Sequence, residues 1–100
     1  MLFVIHCVDK PGHQALRASN RPAHLDYLNS FGTRIVVAGP TLTEDGATPN
    51  GSVFILDVAD AREAASFAAG DPYAKAGLFA STTIAPWRLV IMNPPPAAAG

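Results

Sequence analysis

One hundred residues are enough for one domain with a modest core, and a chain that is 49% apolar and only 15% charged is built to pack rather than to stay disordered. A formal net charge of −1 with no basic run argues against nucleic-acid binding by phosphate neutralisation. One cysteine, Cys7, excludes an internal disulfide and fits a cytoplasmic location; the N-terminus lacks the basic leader of a signal peptide, and no apolar run approaches the roughly 18 residues of a membrane span, so no membrane association is expected.

Leu2 to Val8 is rich in β-branched and aromatic residues and predicts a first strand. Strand alternation puts Phe3, Ile5 and Cys7 on one face and Leu2, Val4, His6 and Val8 on the other, so both faces need cover. After the Asp9–Gly12 turn, His13 to Ser30 predicts helix interrupted at Pro22, either as a kink or as two successive pieces. Within it His24, Tyr27, Leu28 and Phe31 fall at i, i+3, i+4 and i+7, an apolar stripe that carries a histidine. Gly32 suits a left-handed C-cap.

Arg34 to Ala38 predicts a second strand stopped by Gly39-Pro40. A polar loop over Thr43 to Gly51 leads to a third strand, Ser52 to Val58, and the two strands suggest a long hairpin. Asp60 and Glu63 form a capping box for a helix that ends at Gly70. Asp71-Pro72 opens a short turn of helix, Tyr73 to Ala76, before a fourth strand from Leu78 to Pro86, with Trp87 to Met92 as a possible extension. Residues 1–92 therefore form the domain, and 93–100 a Pro/Ala-rich tail. The order β-α-β-β-α-β is the ferredoxin-like, split βαβ arrangement: an α+β fold with a four-stranded antiparallel sheet and helices on one face. The strands are apolar on both sides and the charged share falls below the usual value of about 25%. The expectation is a homodimer that covers the second sheet face.

His24 needs a reason to lie on an apolar stripe, and Asp71 offers a carboxylate that meets it in a small pocket. A neighbouring carboxylate favours the imidazolium and one tautomer, leaving the other ring nitrogen for a small-molecule ligand. Asp71 is equally explained as the N-cap of the short helix, and the roles can coexist, one oxygen capping and the other orienting the imidazole. Arg21 is a solvated charge or a clamp for a ligand carboxylate or phenolate. Tyr27 and Tyr73 are packing aromatics or pocket walls, and His6 lines either the pocket or a dimer seam. His6 and Cys7 alternate in direction, and no close-spaced ligand set occurs, so no metal is expected. No cofactor motif, nucleophile elbow or phosphate loop is present in the sequence.

Four segments in order, Arg21-Pro22-Ala23-His24-Leu25, Ala38-Gly39-Pro40, Asp71-Pro72-Tyr73-Ala74-Lys75-Ala76-Gly77-Leu78 and Pro86-Trp87, resemble the YCII-related (YciI-like) family over nearly the whole chain, Met1 to Met92. The resemblance implies a dimeric α+β barrel of ferredoxin-like subunits and an active site built on His24 and Asp71. It implies no single reaction, because the wider superfamily of such barrels includes monooxygenases, isomerases and haem-handling enzymes. The expectation is a small cofactor-independent enzyme in which His24 carries a proton for lyase- or isomerase-like chemistry on a polar or aromatic metabolite, steadied by Asp71, with Arg21, Tyr27, His6 and Tyr73 as substrate contacts. The alternatives are a dimeric module that binds a metabolite without converting it, and a plain dimerisation scaffold.

Overall fold

The computed structural model describes residues 1–95; the tail expected over 93–100 lies outside them from residue 96 onward. Strand β1 (Leu2–Asp9) leads to helix α1 (Gln14–Phe31), then strands β2 (Ile35–Leu42) and β3 (Pro49–Asp57), helix α2 (Ala61–Gly70), the short helix α3 (Pro72–Lys75) and strand β4 (Phe79–Trp87). The sheet order is β2-β3-β1-β4 with every neighbouring pair antiparallel. This is the ferredoxin-like βαββαβ topology, in which each βαβ unit is split by an intervening strand.

Alternation along β1 sorts the two faces. Phe3, Ile5 and Cys7 turn toward the helices and are at most 1% exposed. Their cross-strand partners Leu56 and Phe54 join them, with Phe67 and Ala64 from α2 closing the layer. On the opposite face Val4, His6, Val53, Ile55, Val37 and Ala85 stand together, with Trp87 beside Leu2. No helix among the described residues covers that side.

Helix α1 runs unbroken through Pro22, which settles the choice between a kinked helix and two separate ones in favour of one element. Pro22 offers no N–H to the Ala18 carbonyl one turn earlier. Gly32 ends the helix at φ +56°, a conformation that favours glycine. A single 3₁₀ turn, Gly32–Arg34, follows.

Strand β2 extends past Gly39-Pro40, where the sequence predicts a stop. The reason is position. β2 is an outer strand, and a proline is tolerated where the absent N–H faces solvent. Pro86 occupies the other outer strand, opposite Phe3. The β2–β3 hairpin is accordingly longer than predicted, with β3 beginning at Pro49. The expected extension of β4 does not form: residues 88–95 have no regular structure, and Val90, Ile91 and Met92 are at least 75% exposed. Helix α2 starts as its capping box predicts, with the Glu63 amide donating to Asp60 at 2.9 Å. The Glu63 carboxylate reaches back to the Ala59 amide at 2.7 Å, one residue before the cap.

Candidate active site

The split topology brings α3 against α1 from far along the chain, and a cavity lies between α1 and the β2–β3 hairpin. His24 is in the third turn of α1, and its neighbour across the gap is the start of α3. Asp71 caps that short helix: its Oδ1 accepts from the Tyr73 amide at 3.0 Å. The same oxygen lies 2.7 Å from His24 Nδ1. The expectation of one carboxylate oxygen for each role is therefore replaced by a single oxygen shared between them. Both side chains are buried, His24 at 6% exposure and Asp71 at 1%.

The shared oxygen defines the imidazole's tautomer. A buried carboxylate accepts, so Nδ1 carries a proton and donates; in the neutral imidazole Nε2 then keeps its lone pair. Nε2 makes no hydrogen bond among the described residues, and no side-chain nitrogen or oxygen among them is both buried and unpartnered. Nε2 therefore opens on the space that His24 lines. That space is a cavity of about 420 Å³ between α1 and the β2–β3 hairpin. Leu25, Leu28, Phe54 and Pro49 supply apolar walls, and Ala38-Gly39-Pro40 forms the opposite rim.

Tyr73 forms the flat floor beside the histidine. Its ring stacks on the imidazole with centroids 3.9 Å apart and planes 14° off parallel. Burial raises the Tyr73 pKa above 10.0, although the charges of Arg17 and Arg21 act the other way. The phenol thus stays protonated at neutral pH and remains available as a donor.

Arg17 is the residue that propensity reasoning passes over as an ordinary helix former. It is 8% exposed. Its Nε and Nη2 grip Asp9 at 2.7 and 3.0 Å, and Nη2 also donates to the Gly51 carbonyl and Ser52 Oγ at 2.8 and 3.0 Å. Its Cζ sits 4.7 Å from the Tyr73 ring centroid. Burial alone would lower its pKa, but the Asp9 hydrogen bond and charge outweigh that and hold the guanidinium firmly charged. The available signal was spacing: Arg17, Arg21 and His24 stand at i, i+4 and i+7 and line one cavity.

The other predicted contacts divide. Arg21 lines the cavity and is exposed at its mouth. Tyr27 does not line it: the hydroxyl donates to the Phe67 carbonyl at 2.9 Å, and the ring packs on Phe31 and Phe67, so it ties α1 to α2. His6 is not brought to it either. Strand alternation sends it through the sheet to the uncovered face, where it is exposed. His13 lies within 2.8 Å of the Pro11 carbonyl at the surface end of the turn. No cluster of three or more His, Cys, Asp or Glu side chains fit for a metal ion occurs among the described residues. No helix among them is long and apolar enough to cross a membrane.

Comparison with known proteins follows the same lines. Protein YciI of Escherichia coli O6:H1 is 33% identical, the match covering 90% of this chain and 99% of that protein. An uncharacterised protein of Haemophilus influenzae is 31% identical over the same shares. Among solved structures, 5-chloro-2-hydroxyhydroquinone dehydrochlorinase (TftG) of Burkholderia phenoliruptrix AC1100, in complex with 2,5-dihydroxybenzoquinone, superposes with a TM-score of 0.82 at 40% identity, covering 88% of this chain and 94% of that one. An antibiotic biosynthesis monooxygenase superposes at 0.56 with 14% identity over 91% of this chain and 100% of that one, a likeness of fold alone. Both neighbours share the ferredoxin-like subunit of the dimeric α+β barrels. The YCII-related domain model matches residues 1–88, and on that match the chain belongs to the YCII-related family.

Proposed function

We propose that this protein is a small cofactor-independent enzyme in which His24 takes and returns a proton on a small hydroxylated, enolisable ring, with Asp71 fixing and charging the imidazole. The observation that carries the proposal is the 2.7 Å contact between His24 Nδ1 and Asp71 Oδ1, with Nε2 turned to the cavity. Nε2 is then a base poised at the wall of an apolar space, and Asp71 stabilises the imidazolium that forms when it accepts a proton. Proton removal from a ring hydroxyl or an adjacent carbon leaves an electron pair. The pair either expels a leaving group with its bonding electrons or moves to a neighbouring carbon that is then reprotonated. Neither path needs an oxidant or reductant. These are elimination and isomerisation, the lyase- and isomerase-like reactions. The likeness to TftG, a dehydrochlorinase of a trihydroxylated ring, supports the same substrate class here.

The test is turnover of a chlorinated hydroxyhydroquinone, followed by chloride release and ring absorbance. The parent should release chloride, and His24→Ala should lose about 10²–10⁴-fold in rate while keeping its fold. Equal rates in the two proteins would overturn the proposal. A ring compound that binds but yields no product would point instead to a metabolite-binding module.

We also propose that the open sheet face pairs with a second copy of the chain. Its support is the apolar character of that face, with Val4, Val37, Val53, Ile55 and Trp87 together on it.

A further inference from the structure

The proposed reaction names a base but not what holds the other end of the ring. Every ionisable side chain on the cavity wall other than His24 and Tyr73 is a guanidinium: Arg17 and Arg21. No carboxylate lines it. Asp71 stands behind His24, and Asp9 stands behind Arg17. The two arginines differ in kind. Arg17 is clamped through Nε and Nη2 by Asp9, Gly51 and Ser52, and its guanidinium also acts on the Tyr73 side chain by hydrogen bond and by charge. The Arg17 side chain lines the cavity beside His24 and Tyr73. Arg21 has no ion-pair partner among the described residues, and its charge is felt at the Tyr73 hydroxyl. Arg17 and His24 both lean on the Tyr73 ring, so donor and base address one small volume.

We propose that Arg17 and Arg21 make the cavity selective for rings that already carry an ionised oxygen, holding that oxygen while His24 works on a second, still protonated position. The inference rests on the proposed function and names its substrate class: a small flat hydroxylated ring bound as its anion. Arg17 supplies a rigid donor whose direction Asp9 sets, and Arg21 supplies the uncompensated charge. The apolar walls accept the ring face, and the small residues Ala38 and Gly39 leave room for its edge.

The experiment is calorimetric titration of the whole chain with 2,5-dihydroxybenzoquinone, which is ionised at neutral pH, and with 2,5-dimethoxybenzoquinone, which cannot ionise. The parent should bind the ionised ring at least about tenfold more tightly, the size of one charge-assisted hydrogen bond. Arg21→Gln, at an exposed position, should remove most of that preference and leave affinity for the dimethoxy ring within about twofold. Arg17→Lys keeps the charge and loses the fork, and it too should lower the preference; its melting temperature shows whether it is folded, and Arg21→Gln decides if it is not. Equal affinities in the parent, no binding of either ring, or an equal loss for both rings in Arg21→Gln would overturn the inference. A parent that shows no preference yet turns the ring over strikes the inference alone. Absent turnover with the preference retained strikes the proposed reaction alone.

Discussion

Asp71 holds two groups with one oxygen, and this separates stability from chemistry at the scale of a residue. Asn at this position keeps an oxygen for the Tyr73 amide and for His24 Nδ1–H but has no charge with which to steady an imidazolium. Asp71→Asn should therefore unfold within about 1 kcal/mol of the parent in urea while its turnover falls. Asp71→Ala removes the cap and leaves His24 Nδ1 buried without a partner, and should cost about 1–3 kcal/mol as well as turnover. Tyr73 and Cys7 predict a pH response. Burial raises both, Cys7 from 9.0 and Tyr73 from 10.0, the former against a hydrogen bond from Thr82 and the latter against two arginines. Each group keeps its proton in the folded chain to a higher pH than in the unfolded chain. The folded state then binds more protons above about pH 9, and stability falls as pH rises. Melting temperature followed from pH 8 to 11 should decline across that range, and Tyr73→Phe should make the decline shallower above pH 10. The residue scale also shows what was legible in the sequence. His24 and Asp71 announced themselves, one as a polar group on an apolar stripe and the other as a cap. Arg17 did not, because its meaning lies in Asp9, Gly51 and Ser52, which reach it only through the fold.

At the scale of elements, periodicity sorts faces well and boundaries poorly. The alternation of β1 and the capping box of α2 are local properties, and both stand in the structure as the residues imply. The end of β2 is not local. Gly39-Pro40 carries the chemistry of a stop, yet the strand continues because β2 is an outer strand, with no pairing on its far edge among the described residues. The same dependence on neighbours makes Gly51 a sensitive position. It lies in β3, flanked by Val8 and Thr41, and a Cβ there would come 2.5 Å from the Cys7 carbonyl oxygen. That oxygen belongs to the central strand and cannot swing aside. Gly51→Ala should destabilise by about 1–3 kcal/mol in urea unfolding, and it should loosen the Gly51 carbonyl from Arg17. An unchanged midpoint would show that the strands part without cost.

At the scale of the molecule, the sheet has one face under helices and one face in the open. The low number of charges in the composition predicts hidden surface, and the face proposed to pair is the side bearing His6, Val37 and Trp87. Solution mass should correspond to two chains at micromolar concentration. Val37→Glu, at a side chain 59% exposed and so indifferent to the fold of one subunit, should shift that mass toward one chain. A parent that runs as a single chain at every concentration would remove the sheet face as a meeting surface. In the proposed two-chain form His6 would be a polar group in an otherwise apolar seam.

The two prolines in the outer strands carry a consequence for how this chain behaves in crowded surroundings. Pro40 and Pro86 each stand in an outer strand and bring no backbone N–H to it. A strand from another molecule that tried to lengthen the ladder would find no donor there. Open-ended, fibril-like growth from either rim is thereby disfavoured, even with valines and a tryptophan exposed on the sheet.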